Sequence, residues 1–216
     1  VILPRKDGIT YLKIAAELLS DKETIADIHF KIGNIYLWAG SKKQAYPYFE
    51  KSLGMVSDNA NARLKLVDIY AALYKNSSAL KQLNYLYDSG QINFEKRMLL
   101  AEFNIHAGEF EKAGILLNKA EVIYPYRVPE ITDLRGRLNM LANKPKQAIG
   151  FYENYSNQVS NDKRMISAYT LARLFAKTGN NNKAVQWLET AIGYGFNYFY
   201  VLQNDSYMED LRKTAK

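Results

Sequence analysis

The sequence predicts an all-α protein built as a solenoid of antiparallel helix pairs. Three observations predict it. Alanines recur at Ala45, Ala79, Ala113, Ala148 and Ala184, at intervals of 34, 34, 35 and 36 residues, each followed four positions later by a bulky Phe49, Leu83, Leu117, Tyr152 or Leu188. Twelve residues before each alanine stands Gly33, Val67, Ala101, Gly136 or Ala172, and three after that comes Tyr36, Tyr70, Asn104, Asn139 or Phe175. Gly40, Gly108 and Gly179 fall five residues before their alanines, where a helix would end. A fixed period of this length marks stacked units, each too small to bury its apolar face alone.

The composition agrees with a folded, water-facing chain. Of 216 residues 48% are apolar and 24% charged, and no apolar run approaches the roughly 18 residues that span a bilayer. There is no cysteine, which removes thiol nucleophiles, disulfides and Cys-ligated zinc. Many tyrosines, asparagines and lysines give the flavour of a bacterial chain from an AT-rich genome. Starting at Val1 without a charged-then-apolar leader, the sequence reads as a fragment of a longer product, with a lean towards an exported protein of the cell envelope or periplasm over a cytoplasmic one.

Taken in order, GITYLKIAAELLS, with Gly8, Leu12 and Ala15, reads as the second helix of a partial leading repeat over 1–22. The full units follow at 26–59, 60–92, 94–127, 129–161 and 165–197, together one solenoid domain, with a capping segment at 198–216. In the first, Ile25, Ile28, Ile32, Ile35 and Tyr36 share a helical face. Ser20 with Glu23 predicts a capping box at its start, Gly40 a stop, and Ser41 with Gln44 a second box. Gly33, Gly136 and the alanines let helix axes approach, and the bulky residues fill the space beside them. Pro47, past the first turn of its helix, predicts a kink. In the fourth unit Asn143, before Pro145, replaces the turn glycine. In the tail, Phe196, Tyr198, Phe199, Val201 and Leu202 are expected to pack over the last repeat, with a short helix from about Asp205.

A period of 34 with a small residue, an aromatic, Gly, Ala, a bulky residue, Ala and a late Pro125 resembles the tetratricopeptide repeat over nearly the whole chain. The family's usual tryptophan is replaced by His29, Arg63, Arg97, Thr132 and Ala168. The resemblance implies a right-handed superhelix of α-α pairs whose concave groove is lined by the second, fifth, ninth, twelfth and thirteenth residues of each unit. The implied partner-binding residues are Phe30, Asn34, Leu37, Trp38, Leu64, Asp68, Glu95, Met98, Glu102, Ile105, Glu130, Asp133, Arg137, Met140, Tyr169 and Arg173. The family also clamps the carboxylates of chaperone tails with groove lysines, but Phe30 and Glu95 stand where those lysines are needed.

The net charge of +7 would suggest nucleic acid, yet over the first four units the implied groove carries six acids and one base, while Lys42, Lys43, Lys51, Lys81, Lys112, Lys119, Lys144, Lys146 and Lys183 fall on second helices and turns. That distribution disfavours nucleic acid. It suits a protein or peptide ligand with apolar and basic residues.

Signals for chemistry are sparse. His29 and His106 are the only histidines and lack a ligand-spaced partner. No phosphate-cradling glycine loop and no G-x-S-x-G occurs. Glu95, Glu102 and Asp68 read as a ligand-facing acidic patch rather than as catalytic carboxylates. The sequons at Asn76, Asn154 and Asn204 are unremarkable in an asparagine-rich chain. The reading is a non-catalytic binding scaffold without cofactor or metal. The alternatives are an accessory module of a larger hydrolase-type enzyme and a cell-envelope assembly or glycan-handling protein, the latter requiring exposed aromatics in the tail.

Overall fold

The computed structural model describes residues 6–214; the expectations for 1–5 and 215–216, at the ends of the leading helix and of the tail, lie outside the described residues. All regular structure among the described residues is helical. In order come α1 (Lys6–Leu18), α2 (Lys22–Trp38), α3 (Lys42–Met55), α4 (Ala60–Ala72), α5 (Asn76–Asp88), α6 (Phe94–His106) and α7 (Phe110–Ile123). There follow α8 (Val128–Leu141), α9 (Pro145–Gln158), α10 (Asn161–Lys177), α11 (Asn181–Gly193), α12 (Phe199–Asn204), a 3-10 turn (Ser206–Met208) and α13 (Glu209–Thr214). The chain divides into two compact units, one ending at Arg97 and the other beginning at Met98.

In the first unit α2 packs against α3 and α4 against α5, with α1 on α2 and α3 on α4. Gly33 shows why the first pair is close: a Cβ there would lie 2.8 Å from the Cζ of Phe49, a ring with no exposed surface. Ala62, Leu66, Val67, Ile69, Ala79, Leu83 and Leu86 fill the α4–α5 pair. At two of the positions where the resemblance implies a tryptophan, an arginine meets a tyrosine ring instead. The Arg63 guanidinium lies 3.4 Å from the Tyr85 ring centre and Arg97 5.3 Å from that of Tyr87, while His29 sits 6.2 Å from Tyr48. Burial, and then the charge of Lys51, lower the His29 pKa.

In the second unit α8 pairs with α9 and α10 with α11, α7 lies on α8, and α9 contacts α10. The Gly33 arrangement recurs: a Cβ on Gly136 would meet the Tyr152 ring at 2.7 Å. The core around α10 gathers Leu171, Ala172, Leu174, Phe175, Ala184, Ala191, Phe196 and Met208.

The turns between paired helices share one closure. The N–H of Ser41 reaches the Tyr36 carbonyl at 2.8 Å, and Lys75 to Tyr70, Glu109 to Asn104, Lys144 to Asn139 and Asn180 to Phe175 repeat it. This closure puts the preceding residue in the left-handed region. Gly40, Gly108 and Gly179 supply φ of 77–78°, and Asn143, the residue that replaces the turn glycine in the fourth repeat, adopts 56°. Tyr74 in the second repeat adopts the same 56° with a full side chain, a conformation that costs about 1 kcal/mol or more.

Local expectations are corrected at three places. The start of α2 is capped by Asp21, whose side chain accepts from the Thr24 N–H at 2.8 Å, and not by a Ser20–Glu23 box. A carboxylate one residue nearer the helix is the stronger acceptor, and those Thr24 hydrogen bonds hold its pKa down. At α3, Ser41 donates to Gln44 at 2.9 Å but its side chain makes no bond to the helix backbone. α3 runs from Lys42 to Met55 with Pro47 inside it. In the tail, Tyr198, Phe199 and Val201 are 55%, 63% and 46% exposed; the cover is made by Phe196 and Met208, with Leu202 and Leu211 packed beside them. α12 is short, so one face alone can turn inward.

Candidate functional site

The residues implied as groove-lining lie mainly on the first helix of each pair, and two clefts open there, one in each unit. In the first unit a cleft of about 260 Å³ is lined by Glu23, Asp27, Phe30, Asn59 and Asn61, with Ala26 and Val56. Phe30 forms its apolar floor and packs edge-on against Phe49 at 5.4 Å. Asn34, Leu37 and Leu64 are half-buried, Glu95 is exposed, and Trp38, at the end of α2, is 72% exposed.

In the second unit a cleft of about 430 Å³ lies between α8, α9 and α10, lined by Asp133, Arg137, Met140, Tyr152, Tyr155, Lys163, Ile166, Ser167 and Thr170. Four of these stand at positions implied by the resemblance: Asp133, Arg137, Met140 and Ile166. The Arg137 guanidinium holds Glu102 at 2.6 Å and lies 3.5 Å from the His106 ring nitrogen. Burial raises the Asp133 pKa, the Arg137 charge opposes that rise, and Glu102 adds to it. Tyr155 is raised by burial and then by Asp133. Met98 is half-buried.

Two of the implied residues have no face to offer. Ile105 is 2% exposed and belongs to the core. Tyr169 is buried, stacked on Phe196 at 4.3 Å, and donates its hydroxyl to Asp205 at 2.8 Å. Arg173 pairs with the same Asp205 carboxylate at 2.6 Å, beneath the Tyr207 ring, and Lys177 also lies against that ring. The inner positions of the last unit are thus occupied by the chain's own tail. Asp205 was not foreseen in this role; the only sequence signal was an Asn-Asp before a helix.

The acids were foreseen, and their partners were not. Asp27 pairs with Lys31 at 2.6 Å, Asp68 with Lys96, Glu102 with Arg137, and Glu130 with Arg127 at 2.9 Å. Asp133 is the exception. Among the described residues its carboxylate has no hydrogen-bond donor or ion-pair partner within contact distance. Among the described residues there is also no group of His, Asp and Glu spaced to hold a metal ion, and no helix long and apolar enough to cross a membrane. Of the exposed Tyr198, Phe199 and Tyr200, the last two are consecutive on α12, so their side chains diverge by about 100°, while Tyr198 precedes the helix.

A family model described as tetratricopeptide repeat matches residues 167–194. No curated protein matches the sequence. Among solved structures the chain is similar to YrrB, described as a TPR protein with an unusual peptide-binding site. The TM-score is 0.71 at 16% identity, covering 89% of this chain and 96% of that one. A tetratricopeptide repeat protein from Parabacteroides merdae gives 0.70 at 15% identity, covering 96% and 80%. MamA from Desulfovibrio magneticus gives 0.69 at 12% identity, covering 81% and 96%. At these identities the likeness is one of fold.

Proposed function

We propose, with a tetratricopeptide-repeat fold as the premise, that this chain is a non-catalytic protein- or peptide-binding scaffold whose ligand lies on the first helices of its repeats. One observation carries the reading. The clefts of both units lie on first helices and share two repeat positions, Phe30 with Asp133 and Asn61 with Ile166, joined by Asp27 in one and by Arg137 and Met140 in the other. Phe30 and Met140 offer apolar contact, and the acids around them suit a segment carrying apolar and basic side chains. The peptide-binding site in the description of YrrB supports the same reading by fold analogy.

The test is selection from a random peptide library against the wild-type chain and against three variants. Asn61→Arg and Thr170→Arg place a long side chain in the respective clefts without entering the core; Lys146→Glu alters an outer helix. The expected result is a shared peptide motif whose binding drops at least about tenfold in one cleft variant, some 1.4 kcal/mol, and is kept by Lys146→Glu. Enrichment of no motif, or loss only with Lys146→Glu, would overturn the reading.

A further inference from the structure

We propose that the cleft between α8, α9 and α10 is a pocket for a single cationic side chain of the bound peptide, arginine in preference to lysine, with the Asp133 carboxylate as its acceptor. The inference rests on the peptide-binding reading and adds the chemistry of one subsite.

The geometry begins with the volume. About 430 Å³ is many times the roughly 30 Å³ share of one water, so the cleft holds a whole side chain. Its wall is largely apolar, with Met140, Ile166 and the Tyr155 ring placed to cover a methylene stem. At one side stands Asp133, half-buried and without a donor in reach. A half-buried carboxylate with no donor from its own chain is left to solvent for its hydrogen bonds, and a ligand N–H can take that place.

The neighbouring charges favour a cation over an anion. Arg137 is committed to Glu102 at 2.6 Å, which leaves Lys163 as the lining cation not engaged in an ion pair among the described residues. Glu102 and Glu130 are each held by an arginine, so the half-buried charge left in the cleft is that of Asp133, with Lys163 exposed; Tyr152 and Tyr155 are neutral at physiological pH. Burial outweighs the pull of Arg137 and Lys163 on the Asp133 carboxyl, so the present cations leave its charge under-compensated. The tyrosine rings favour the planar guanidinium, a pairing already used within the chain by Arg63 on Tyr85 and Arg173 on Tyr207.

The test titrates the ¹⁵N-labelled chain with four blocked amino acids, the N-acetyl amides of arginine, lysine, norleucine and glutamate, following amide shifts. The arginine derivative is expected to give saturable shifts centred on Asp133, Ile166 and Thr170, with the lysine derivative weaker and the other two weaker still. Asp133→Asn should weaken arginine binding about tenfold while leaving the rest of the spectrum folded. Lys163→Met, which removes a competing cation, should strengthen it about two- to threefold. Binding should also fall in acid as Asp133 takes up a proton.

Equal or tighter binding of the norleucine or glutamate derivative would overturn the pocket. So would shifts centred elsewhere, absence of saturable binding, or indifference to Asp133→Asn. These outcomes separate from failure of the broader reading. Library peptides blocked by Thr170→Arg but lacking a basic residue sink the pocket alone, whereas a library without any binder sinks both.

Discussion

The crossing of α2 and α3 in the first unit and that of α8 and α9 in the second are built alike and used differently. Each puts a glycine under an aromatic ring, Gly33 under Phe49 and Gly136 under Tyr152, with space for no Cβ. Phe49 is sealed, with no exposed surface, and its edge meets Phe30. Tyr152 is 4% exposed, lines the cleft beside Asp133, and has its ionisation suppressed by burial and by that carboxylate. One packing device therefore closes a core in one unit and forms part of a cleft wall in the other. A repeat position conserved in packing is free to diverge in chemistry when its far edge reaches water.

The comparison breaks first at the glycines. Gly33→Val should destabilise the chain by about 3 kcal/mol, because the Phe49 ring has nowhere to go. Gly136→Val should cost less, about 2 kcal/mol, since Tyr152 borders an open cleft. Urea denaturation midpoints measure both, and an equal loss would mean that the cleft gives Tyr152 no room. Combining Gly33→Ala with Phe49→Leu recreates the Ala–Leu pairing of 101 with 117 and of 172 with 188. That double variant should stay within about 1 kcal/mol of the wild type, while Gly33→Ala alone falls below it.

The turns sharpen the same contrast at smaller scale. Tyr74→Gly in the first unit should stabilise by about 1 kcal/mol, because it relieves a left-handed tyrosine that is 89% exposed and contributes little packing. Asn143→Gly in the second should change stability by only a few tenths of a kcal/mol, since asparagine tolerates that region. Thermal melts of the two variants would expose a turn in which the tyrosine carries hidden packing, for then Tyr74→Gly would melt earlier.

The smallest effect is expected at Asp133. A carboxyl whose folded pKa lies above its unfolded value favours the protonated form on folding. That contribution is fully present below the unfolded pKa, near 3.8, and is lost as pH rises through the folded pKa. Asp133→Asn should therefore be no less stable than the wild type at pH 7, with its relative advantage shrinking towards acid. A melting temperature well below wild type at pH 7 would assign Asp133 a structural bond and remove it from the cleft.

Much of the fold was legible because it is periodic. The small-before-large spacing that pairs Gly33 with Phe49 and Gly136 with Tyr152 is a packing rule written in two residues, and Asn143 could be read as the turn residue from register alone. Tyr74 occupies that same register in the second repeat, but nothing in its chemistry announces a left-handed backbone, so the glycine pattern concealed it. The site was less legible. Family positions located Asp133, Arg137 and Met140 on one cleft, yet could not separate Ile105 and Tyr169, whose faces are taken by the core and by the tail. Nor could they foresee that Lys96 reaches Asp68 or that Arg137 reaches Glu102. Those pairs join residues 28 and 35 apart, and long flexible side chains meet only once the helices are stacked.

These internal pairings alter what a ligand meets at long range. With most of the inner acids neutralised by cations of their own chain, the far field follows the net charge of +7 rather than the sign of the cleft. A basic peptide would then diffuse inward against repulsion and feel attraction only within contact distance of Asp133. Added salt screens the repulsion over about 10 Å at 0.1 M, while the short contact is screened less. Association of such a peptide should accelerate with ionic strength, the reverse of ordinary electrostatic steering, and stopped-flow rates at two salt concentrations would show the sign.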